Sequence, residues 1–512
     1  MSQVKWQASG LQVHQASDVT DSHIELEADV VIVGSGAGGA VSAYELARQG
    51  KRVIVLEAGP YVPSQAFTED FTQSLHALYQ DKGGQANSSG DLLVLQGACV
   101  GGSTVVNGCV CFRTPDFILE DWQRDFGLEE LTESELAPYF DEVEKNLSVH
   151  DNGEHEIARH GQVIREGAKK LGWSVKPLRR NIRQCGLTGH CLSGCKTERK
   201  QSMLVTYLPW AQAHGAKIYS DTRVEKVLTQ NGEASGVEAV VTRQDGGVAA
   251  TMTVKAPRVV LAAGAVQTPV LLLKSGLANR SGKVGQNFAC HPSLLVAGKY
   301  PQPIHPWRGA LLGVHVDEFM HPDKGGFVLE DGGFGLVEMT MLAEPGSGEP
   351  FMDYMANARH MAGLVTLIHD HNVGAIEWDG ERKAINYQLS DVDFPSMQRA
   401  IKAAARLHLA SGATEVYVPS SDKRVIRSEA DIDTQVDSLE NEPQHLRMVS
   451  YHPQGTCHMG ADPDSSVVKT NGETHDVPGL YVADASLLPT SIIVNPQITV
   501  YALATRIARH MS

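Results

Sequence analysis

The sequence predicts an α/β fold, and two stretches of the chain carry that prediction. Residues 29–39, DVVIVGSGAGG, form a short apolar strand followed by glycines in G-x-G-x-x-G spacing. A helical stretch, AVSAYELARQG, and a second apolar strand, RVIVLEAG, complete this first unit. Across residues 217–262 the pattern changes to alternating apolar and polar residues with turn sequences at Asn231-Gly232 and Asp245-Gly246-Gly247. That alternation is typical of a strand meander, and it ends in a buried strand, RVVLAAG.

The opening unit has the features of a dinucleotide site. Gly34, Gly36 and Gly39 let the backbone turn tightly and approach a pyrophosphate at the N-terminus of the following helix. Glu57 lies about 20 residues further on, where an acidic side chain accepts hydrogen bonds from a ribose. We therefore predict a Rossmann-like unit at about 29–60. A glycine-rich turn without a ligand is the less favoured alternative.

Composition limits the possible functions. The chain has 512 residues, of which 42% are hydrophobic and 20% charged, so it is globular and longer than one ordinary domain. A net charge of −16, without a cluster of Lys and Arg, argues against a nucleic-acid partner. No secretory h-region and no apolar run of about 18 residues is visible, so no transmembrane segment is expected. A cytoplasmic location is the default expectation, with export alongside a signal-bearing partner left open.

Other stretches predict how the rest of the chain is organised. The sequence VQTPVLLLKSG predicts a helix that begins near Thr268-Pro269 and ends at Gly276. The stretch FPSMQRAIKAAARLHLASG predicts an amphipathic helix stopped by glycine. Residues 290–395 contain strand-like pieces, and residues 446–512 return to strand and helix. Because no repeat and no long linker separates these regions, two domains interleaved in sequence are expected.

Four separated segments, in order, resemble the glucose-methanol-choline (GMC) family of FAD-dependent oxidoreductases, and they span nearly the whole chain. The resemblance implies a Rossmann-like FAD-binding domain and a substrate domain built on an antiparallel sheet covered by helices. The four segments are VVIVGSGAGGAVSAYELA with LEAG; GGSTVVNGCVCFR; VVLAAGAVQTPVLLLKSG followed by VGQNFACHP; and YHPQGTCHMG with GLYVADASLLPTSIIVNPQITVYALATRIA.

The resemblance also implies how the domains divide the sequence. The FAD-binding domain would consist of residues 1–155, 206–293 and 446–512, the last piece carrying the catalytic residues. Residues 156–205 would form a cysteine-containing insertion on the substrate side. Residues 294–445 would form the substrate-binding domain.

Carried over residue by residue, the resemblance implies a cofactor site at which the flavin lies between the two domains. Some members attach the flavin covalently through a histidine just before the asparagine of the GGS segment. In this chain that residue is Val106, so a non-covalent, dissociable FAD is expected. The cofactor-binding residues implied are Gly34, Gly36, Ala37, Gly39, Glu57, Gly101, Gly102, Ser103, Asn107, Val224, Asp484, Asn495, Pro496 and Ile498.

His452 and Asn495 are the predicted catalytic residues. Oxidation of an alcohol requires removal of the hydroxyl proton, and imidazole, which titrates near neutral pH, suits that task. Asn495 would hold the substrate oxygen by hydrogen bonding. On spacing alone, His452 could be an ordinary loop histidine and Asn495 a turn residue before proline; their places in the family motifs favour the catalytic roles. His458 is interpreted as structural, and His291 is assigned no catalysis.

Three cysteines, Cys185, Cys191 and Cys195, lie in a glycine-rich loop with C-x5-C-x3-C spacing. Three thiolates so spaced could hold an iron–sulfur cluster, as in the bacterial FAD glucose dehydrogenases whose cysteine spacing this loop resembles. Lys196 stands where ferredoxin-like sequences commonly have proline. A structural or zinc-binding thiol loop is therefore the favoured interpretation.

The substrate is the least defined part of the prediction. Six methionines crowd one stretch of the predicted substrate domain, and core filling is favoured over a pliable wall for a ligand. A bulky hydrophobic alcohol is the predicted substrate, with a sugar or polyol as the alternative. The methionines are Met320, Met339, Met341, Met352, Met355 and Met361.

The predicted reaction is FAD-dependent oxidation of an alcohol to an aldehyde or ketone, with oxygen, a quinone or a cytochrome as electron acceptor. The alternatives are a sugar dehydrogenase that passes electrons through an iron–sulfur cluster and a light-driven flavoenzyme acting on fatty acids. A non-catalytic electron-transfer subunit is disfavoured because the His452 and Asn495 pair is complete.

Overall fold

Two large sheets of different kinds organise the protein. The computed structural model describes residues 10–243, 245–342, 348–371 and 374–511, so residues 1–9 of the N-terminal leader lie outside it. The helices are α1 (Ala37–Arg48), α2 (Phe71–Leu78), α3 (Asp116–Phe126), α4 (Glu133–Asn146), α5 (Arg159–Leu171), α6 (Tyr207–Ala213), α7 (Gln267–Ser275), α8 (Leu336–Leu342), α9 (Glu349–Ala356), α10 (Phe394–Ala410), α11 (Glu429–Asp437) and α12 (Gln497–His510).

The strands in the described part of the chain form five sheets. In chain order they are β1 (His23–Glu27), β2 (Val30–Val33), β3 (Val53–Leu56), β4 (Leu92–Val94), β5 (Val149–Asp151), β6 (Val175–Pro177), β7 (Arg179–Asn181), β8 (Lys217–Tyr219), β9 (Thr222–Gln230), β10 (Glu233–Thr242), β11 (Val248–Lys255), β12 (Val259–Leu261), β13 (Ser293–Lys299), β14 (Val314–Val316), β15 (Phe327–Gly332), β16 (Met361–Ile368), β17 (Ala375–Trp378), β18 (Lys383–Asn386), β19 (Glu415–Tyr417), β20 (Val425–Ile426), β21 (Met448–Ser450) and β22 (Leu480–Val482).

The first sheet is parallel, with the order β22-β12-β2-β3-β8. Its central strands are uninterrupted apolar runs, VVIV and VIVL, and every residue of both is buried. Such runs suit strands covered on both faces, as parallel sheets require. The helix α1 crosses over from β2 to β3 and packs on both. The predicted Rossmann-like unit is therefore confirmed.

A four-stranded meander, with the order β1-β11-β10-β9, stands beside the parallel sheet. The hairpin between β9 and β10 turns at Asn231 and Gly232, whose φ values of 53° and 84° are those that a two-residue hairpin loop requires. Alternate residues of β9 are buried at its start, in agreement with the alternation of the sequence. The predicted meander is confirmed, and β12 returns the chain to the parallel sheet.

The second large sheet has nine strands and is mainly antiparallel. Its main path is β20-β19-β13-β16-β15-β14-β6, while β21 pairs with both β13 and β4. The helices α5 and α10 cover it, so the predicted antiparallel sheet under helices is confirmed. Three of its strands, β4, β6 and β21, come from outside residues 294–445, and the proposed domain boundaries stay a prediction.

Two helices end or begin where the sequence indicates. The helix α7 ends at Gly276, whose φ of 66° is left-handed and whose N–H returns to the last turn. The helix α10 has Pro395 in its first turn, a position where proline costs no hydrogen bond. Among the described residues, none of the helices combines the length and apolar character needed to cross a bilayer.

Candidate active site

A cavity of about 550 Å³ runs from the carboxyl edge of the parallel sheet to the face of the nine-stranded sheet. Residues just after β2, β3, β12 and β22 line one end, and residues of β15 and β16 line the other. Ligands of open α/β sheets bind outside the carboxyl ends of the strands, because that is where loops and helix N-termini meet. The cavity has this position.

Two glycine loops form a cradle at the first end of the cavity. Gly36 caps α1, and a Cβ on Gly102 would lie only 2.7 Å from the Gly36 Cα. Gly102 also has a φ of 56°, which favours glycine. Because neither residue has a side chain, the two loops touch and leave the N-terminus of α1 open to the cavity. Backbone N–H groups there suit a pyrophosphate.

Glu57 fixes the shape of this cradle. Its Oε2 accepts hydrogen bonds from the Ser35 N–H at 2.9 Å and the Ser35 hydroxyl at 2.6 Å. Its Oε1 accepts from the Gly59 N–H at 2.9 Å. Burial raises the pKa of the Glu57 carboxyl, and these hydrogen bonds oppose that rise. Glu57 also lines the cavity, so its carboxylate is available to a ribose.

Most residues expected at the cofactor line this cavity, and three do not. A Cβ on Gly39 would lie 2.0 Å from the Gly34 carbonyl oxygen, so Gly39 serves the close packing of α1 on β2. Gly101 donates its N–H to the Ser35 hydroxyl at 2.9 Å, and Ile498 is fully buried in the hydrophobic core. The expected residues that line the cavity are Gly34, Gly36, Ala37, Glu57, Gly102, Ser103, Asn107, Val224, Asp484, Asn495 and Pro496.

His452 and Asn495 meet at the second end of the cavity. The His452 Nε2 lies 3.3 Å from the Asn495 Nδ2, and both residues line the cavity. His452 follows β21, the strand that joins the nine-stranded sheet, whereas Asn495 stands two residues before α12. The fold therefore brings together two residues 43 positions apart.

His291, which the sequence analysis left without catalysis, contacts His452 directly. The two Nδ1 atoms are 3.2 Å apart, and the Gln454 carboxamide lies 3.1 Å from the His291 Nε2. Burial lowers the pKa of His452 to about 3 and that of His291 well below its usual range. At neutral pH both rings are uncharged, so one Nδ1 carries a proton and the other accepts it.

Glu330, on β15, is a further residue that the sequence analysis missed. Burial raises its pKa to about 8, while a hydrogen bond from Asn495 opposes that rise. The Glu330 Oε1 and the Asn495 Oδ1 are both buried without a hydrogen-bond partner among the described residues. Two such oxygens in the wall of a cavity fit a ligand that carries a hydroxyl group.

Apolar side chains form much of the remaining lining at this end, together with Tyr451 and Gln497. The apolar side chains include Leu311, Leu312, Phe334, Val365 and Leu367. None of the six methionines is part of the lining, so the interpretation of a methionine wall is wrong. Met339 and Met361 are buried in the core, as the favoured interpretation expects, whereas Met352 is 65% exposed.

The three loop cysteines do not converge on a common point. Among the described residues, which include all three, no group of three or more His, Cys, Asp or Glu has the arrangement of a metal site. The Cys195 sulfur contacts the Thr197 hydroxyl and the Lys200 N–H, both at 3.4 Å. Cys191 lies near Cys109, and Cys185 lies near Arg180. The iron–sulfur and zinc hypotheses for this loop therefore have no support.

His458 lies outside the lining of the cavity. Its Nε2 is 2.9 Å from the Ser465 carbonyl oxygen, and its ring packs edge-on against Phe126. These contacts agree with the structural role expected from the sequence.

Comparisons with known proteins agree with this geometry. The GMC oxidoreductase N-terminal and C-terminal families match residues 75–293 and 363–504, and an FAD-binding domain family matches residues 29–74. An uncharacterised GMC-type oxidoreductase of Mycobacterium tuberculosis is 34% identical over 491 residues, which cover 95% of this chain and 76% of the relative.

Two further proteins are similar over nearly all of this chain. A long-chain-alcohol oxidase of Arabidopsis thaliana is 30% identical over 525 residues, covering 97% of this chain and 70% of the relative. The crystal structure of pyridoxine 4-oxidase from "Mesorbium loti" superposes with a TM-score of 0.68 at 21% identity, covering 94% of this chain and 99% of that one.

The glycine cradle, the Glu57 carboxylate and the long cavity fit FAD, whose pyrophosphate and ribose need those groups. The matched families cover most of the chain, and they agree with the sheets and the site. This chain belongs to the GMC oxidoreductase family, as an FAD-dependent enzyme that oxidises CH–OH donors.

Proposed function

We propose that this protein oxidises a bulky apolar alcohol to an aldehyde or ketone, with His452 as the base for the hydroxyl proton. The observation that carries the proposal is the contact between His452 and Asn495 in the wall of the cavity, at 3.3 Å. A proton acceptor and a hydrogen-bond donor side by side are what an alcohol oxygen needs while its proton leaves.

FAD binds non-covalently in this proposal. Val106 stands where some relatives have a histidine attached to the flavin, and its side chain cannot form such a bond. When bound, FAD supplies the acceptor for the hydride that leaves the carbinol carbon. Denaturation in acid is expected to release all of the flavin into the supernatant.

The protein's own residues manage the proton. His452 accepts the hydroxyl proton at Nε2, which requires its resting proton to be on Nδ1. The His291 Nδ1, 3.2 Å away, is the acceptor for that resting proton. In the structure the Gln454 Nε2 lies 3.1 Å from the His291 Nε2 and donates to the His452 carbonyl oxygen at 3.1 Å. The proposed proton arrangement therefore requires the Gln454 carboxamide to turn over and give up its bond to the His452 carbonyl oxygen. His291 is in this account a positioning residue.

Asn495 and Glu330 hold the substrate oxygen in this account. The Asn495 Nδ2 donates to that oxygen as negative charge develops on it. Glu330, whose raised pKa of about 8 keeps it protonated at neutral pH, adds no charge to the site. A neutral carboxyl therefore does not oppose the formation of an alkoxide, whereas a carboxylate would.

The apolar lining supports a bulky apolar substrate. Five side chains at this end of the cavity, Leu311, Leu312, Phe334, Val365 and Leu367, present only carbon atoms. Burying each methylene of an alkyl chain against such a wall contributes about 0.8 kcal/mol. A polyol would leave several hydroxyl groups without partners there, and each would cost about 1–3 kcal/mol.

The test is anaerobic flavin reduction by a panel of alcohols. Purified protein loaded with FAD is mixed in the dark with long-chain primary alcohols, bulky secondary alcohols and polyols, and the flavin absorbance is followed. We expect the apolar alcohols to bleach the flavin fastest. Preference for polyols would overturn the substrate class, and bleaching by none of them would overturn the proposed activity. Because the mixing is done in the dark, any reduction of the flavin cannot come from a light-driven reaction on fatty acids.

The electron acceptor is tested on the same protein. After reduction, oxygen, a quinone and a cytochrome are each admitted, and the return of the oxidised flavin spectrum is timed. Fast return with oxygen indicates an oxidase, and fast return only with the other acceptors indicates a dehydrogenase.

A further inference from the structure

Asp370 is a fully buried acid that lies outside the lining of the cavity. Its Oδ2 accepts a hydrogen bond from the Cys290 N–H at 2.8 Å, and its Oδ1 accepts one from the His291 N–H at 3.2 Å. The Tyr387 hydroxyl donates to the Oδ2 at 3.2 Å. Both carboxylate oxygens are therefore used to bind the chain at the residue that contacts His452.

The register of the nine-stranded sheet explains this contact. The strands β13 and β16 are antiparallel, with Ser293 opposite Leu367. Continued by three positions beyond that pair, the same register places Cys290 opposite Asp370. At this point the regular pairing of the two strands has ended. The Asp370 side chain is thus the acceptor that a backbone carbonyl supplies within the sheet.

The backbone of His291 has a conformation that needs such a partner. Its φ of 47° is in the left-handed region, which is uncommon for a residue with a Cβ. A conformation of this kind persists only where the surrounding contacts hold it. Asp370 holds the His291 N–H, and the Ser293 hydroxyl donates to the His291 carbonyl oxygen at 2.9 Å. The direction of the His291 side chain, and with it the contact with His452, depends on this conformation.

A further pair of hydrogen bonds connects the same segment to the backbone of His452. The Ser450 hydroxyl donates to the Cys290 carbonyl oxygen at 2.7 Å and accepts from the His452 N–H at 3.3 Å. The backbones of the two histidines are therefore held to each other, and their Nδ1 atoms meet at 3.2 Å. A small displacement of the His291 backbone would break that contact, because hydrogen bonds weaken steeply with distance and angle.

We propose that Asp370 is a positioning residue for the oxidation reaction. By holding the Cys290 and His291 N–H groups, it keeps the His291 ring against His452 and so fixes which nitrogen of His452 is free to accept the hydroxyl proton. Asp370 acts only through His291, since it lies outside the lining of the cavity. The inference rests on the proposed function, because it deepens the account of the base in that reaction.

The test compares Asp370→Asn with Asp393→Asn. Asparagine has one acceptor oxygen and an NH2 group, so it cannot accept hydrogen bonds from both the Cys290 and the His291 N–H groups. Asp393 is the matched control, because it is also fully buried and also accepts a backbone N–H, that of His371, at 3.1 Å. Both substitutions remove a buried acid, and only the first releases the segment that carries His291.

The first readout needs no substrate. NMR of the FAD-loaded protein with isotope-labelled histidine detects the proton held between the two Nδ1 atoms, and loss of the signal in His291→Leu assigns it. We expect the signal to be shifted or lost in Asp370→Asn and unchanged in Asp393→Asn. An unchanged signal in Asp370→Asn would overturn the proposal.

The second readout is anaerobic flavin reduction at increasing concentrations of a long-chain alcohol. We expect the limiting rate to fall about tenfold in Asp370→Asn, because the base is misplaced. The alcohol concentration that gives half of the limiting rate should change less than about twofold, because the cavity wall is untouched. Asp393→Asn should reduce its flavin at the normal rate. A normal rate in Asp370→Asn would overturn the proposal.

A double substitution tests whether Asp370 acts through His291. In the His291→Leu protein, adding Asp370→Asn should slow flavin reduction no further, because two residues that act as a unit are not additive. Equal slowing by Asp370→Asn in the unmodified and the His291→Leu proteins would overturn the proposal.

Failure of this inference is distinguishable from failure of the proposed function. If alcohols reduce the flavin in none of these proteins, the proposed activity is wrong, and the NMR signal still decides whether Asp370 holds the two rings together. A last measurement does not depend on the folding of any variant. In the unmodified protein the Cys290 and His291 amide protons should exchange slowly with solvent, as hydrogen bonds to a buried carboxylate require, and rapid exchange of both would overturn the proposal.

Discussion

The Nδ1 atoms of His291 and His452 lie 3.2 Å apart, with the His291 ring fully buried behind the His452 ring. Two neutral imidazoles in this contact share one proton, so the tautomer of one ring fixes that of the other. The proposed base therefore depends on a residue that does not line the cavity.

Replacing His291 should separate an acceptor role from a packing role. In His291→Leu the His452 Nδ1 loses its partner, and we expect anaerobic flavin reduction to slow about 10- to 100-fold, because a hydrogen bond to a charged group contributes about 1.5–3 kcal/mol. His291→Asn retains an acceptor oxygen and should recover much of the rate. Stopped-flow absorbance measures both. Equal rates in the two variants would show that the contact has no part in proton handling.

Glu330 should make the stability of the protein depend on pH. Its folded pKa is about 8, whereas an unfolded glutamate has a pKa of about 4.3. Between these values the folded state holds a proton that the unfolded state has lost, so stability should fall as the pH rises from about 4.5 to 8, by up to about 1.4 kcal/mol per pH unit.

Urea unfolding of the FAD-free protein at several pH values measures this dependence. Glu330→Gln should reduce the fall in unfolding free energy as the pH rises. Glu349→Gln, at an exposed position at the start of α9, should leave that fall unchanged. If the free energy of unfolding of Glu330→Gln depends on pH as that of the unmodified protein does, the Glu330 carboxyl of the unmodified protein is already ionised at neutral pH.

Gly102→Ala should weaken FAD binding. Its new Cβ would lie 2.7 Å from the Gly36 Cα, where the two loops of the cradle touch. We expect the dissociation constant for FAD, measured by fluorescence titration, to rise at least about tenfold, or about 1.4 kcal/mol. Gly90→Ala is the matched control, because Gly90 also has a positive φ, 79°, but its Cβ would meet nothing within 4 Å. Similar affinities in the two variants would contradict the proposed position of the cofactor.

The sequence is sufficient to predict the Rossmann-like unit, because Gly34, Gly36 and Glu57 act within about 25 residues of one chain segment and their spacing is itself the signal. The meander is predictable for the same reason, since its turn residues lie next to its strands. The helix-covered antiparallel sheet comes only from the family resemblance.

The roles of Glu330 and His291 at the site could not be predicted from the spacing of residues within one segment of the chain. The position of Glu330 beside Asn495 depends on how β15 lies in the nine-stranded sheet, and nothing in FVLEDG marks that residue. His291 meets His452 across 161 residues of sequence. The prediction of a metal site at the cysteine loop failed for a related reason. The spacing suggested three converging ligands, whereas in the described part of the chain the three cysteines do not form a metal-binding group.

The most direct test of the proposed mechanism is anaerobic reduction of bound FAD by a long-chain alcohol in the unmodified protein and in His452→Gln. The glutamine retains a polar side chain but cannot act as a base, so we expect reduction to slow about 100- to 10,000-fold while the FAD content stays the same. His321→Gln, at a half-exposed histidine on the surface, serves as the control and should reduce its flavin at the normal rate. If His452→Gln reduces its flavin as fast as the control, His452 is not the base, and the proposed mechanism is wrong.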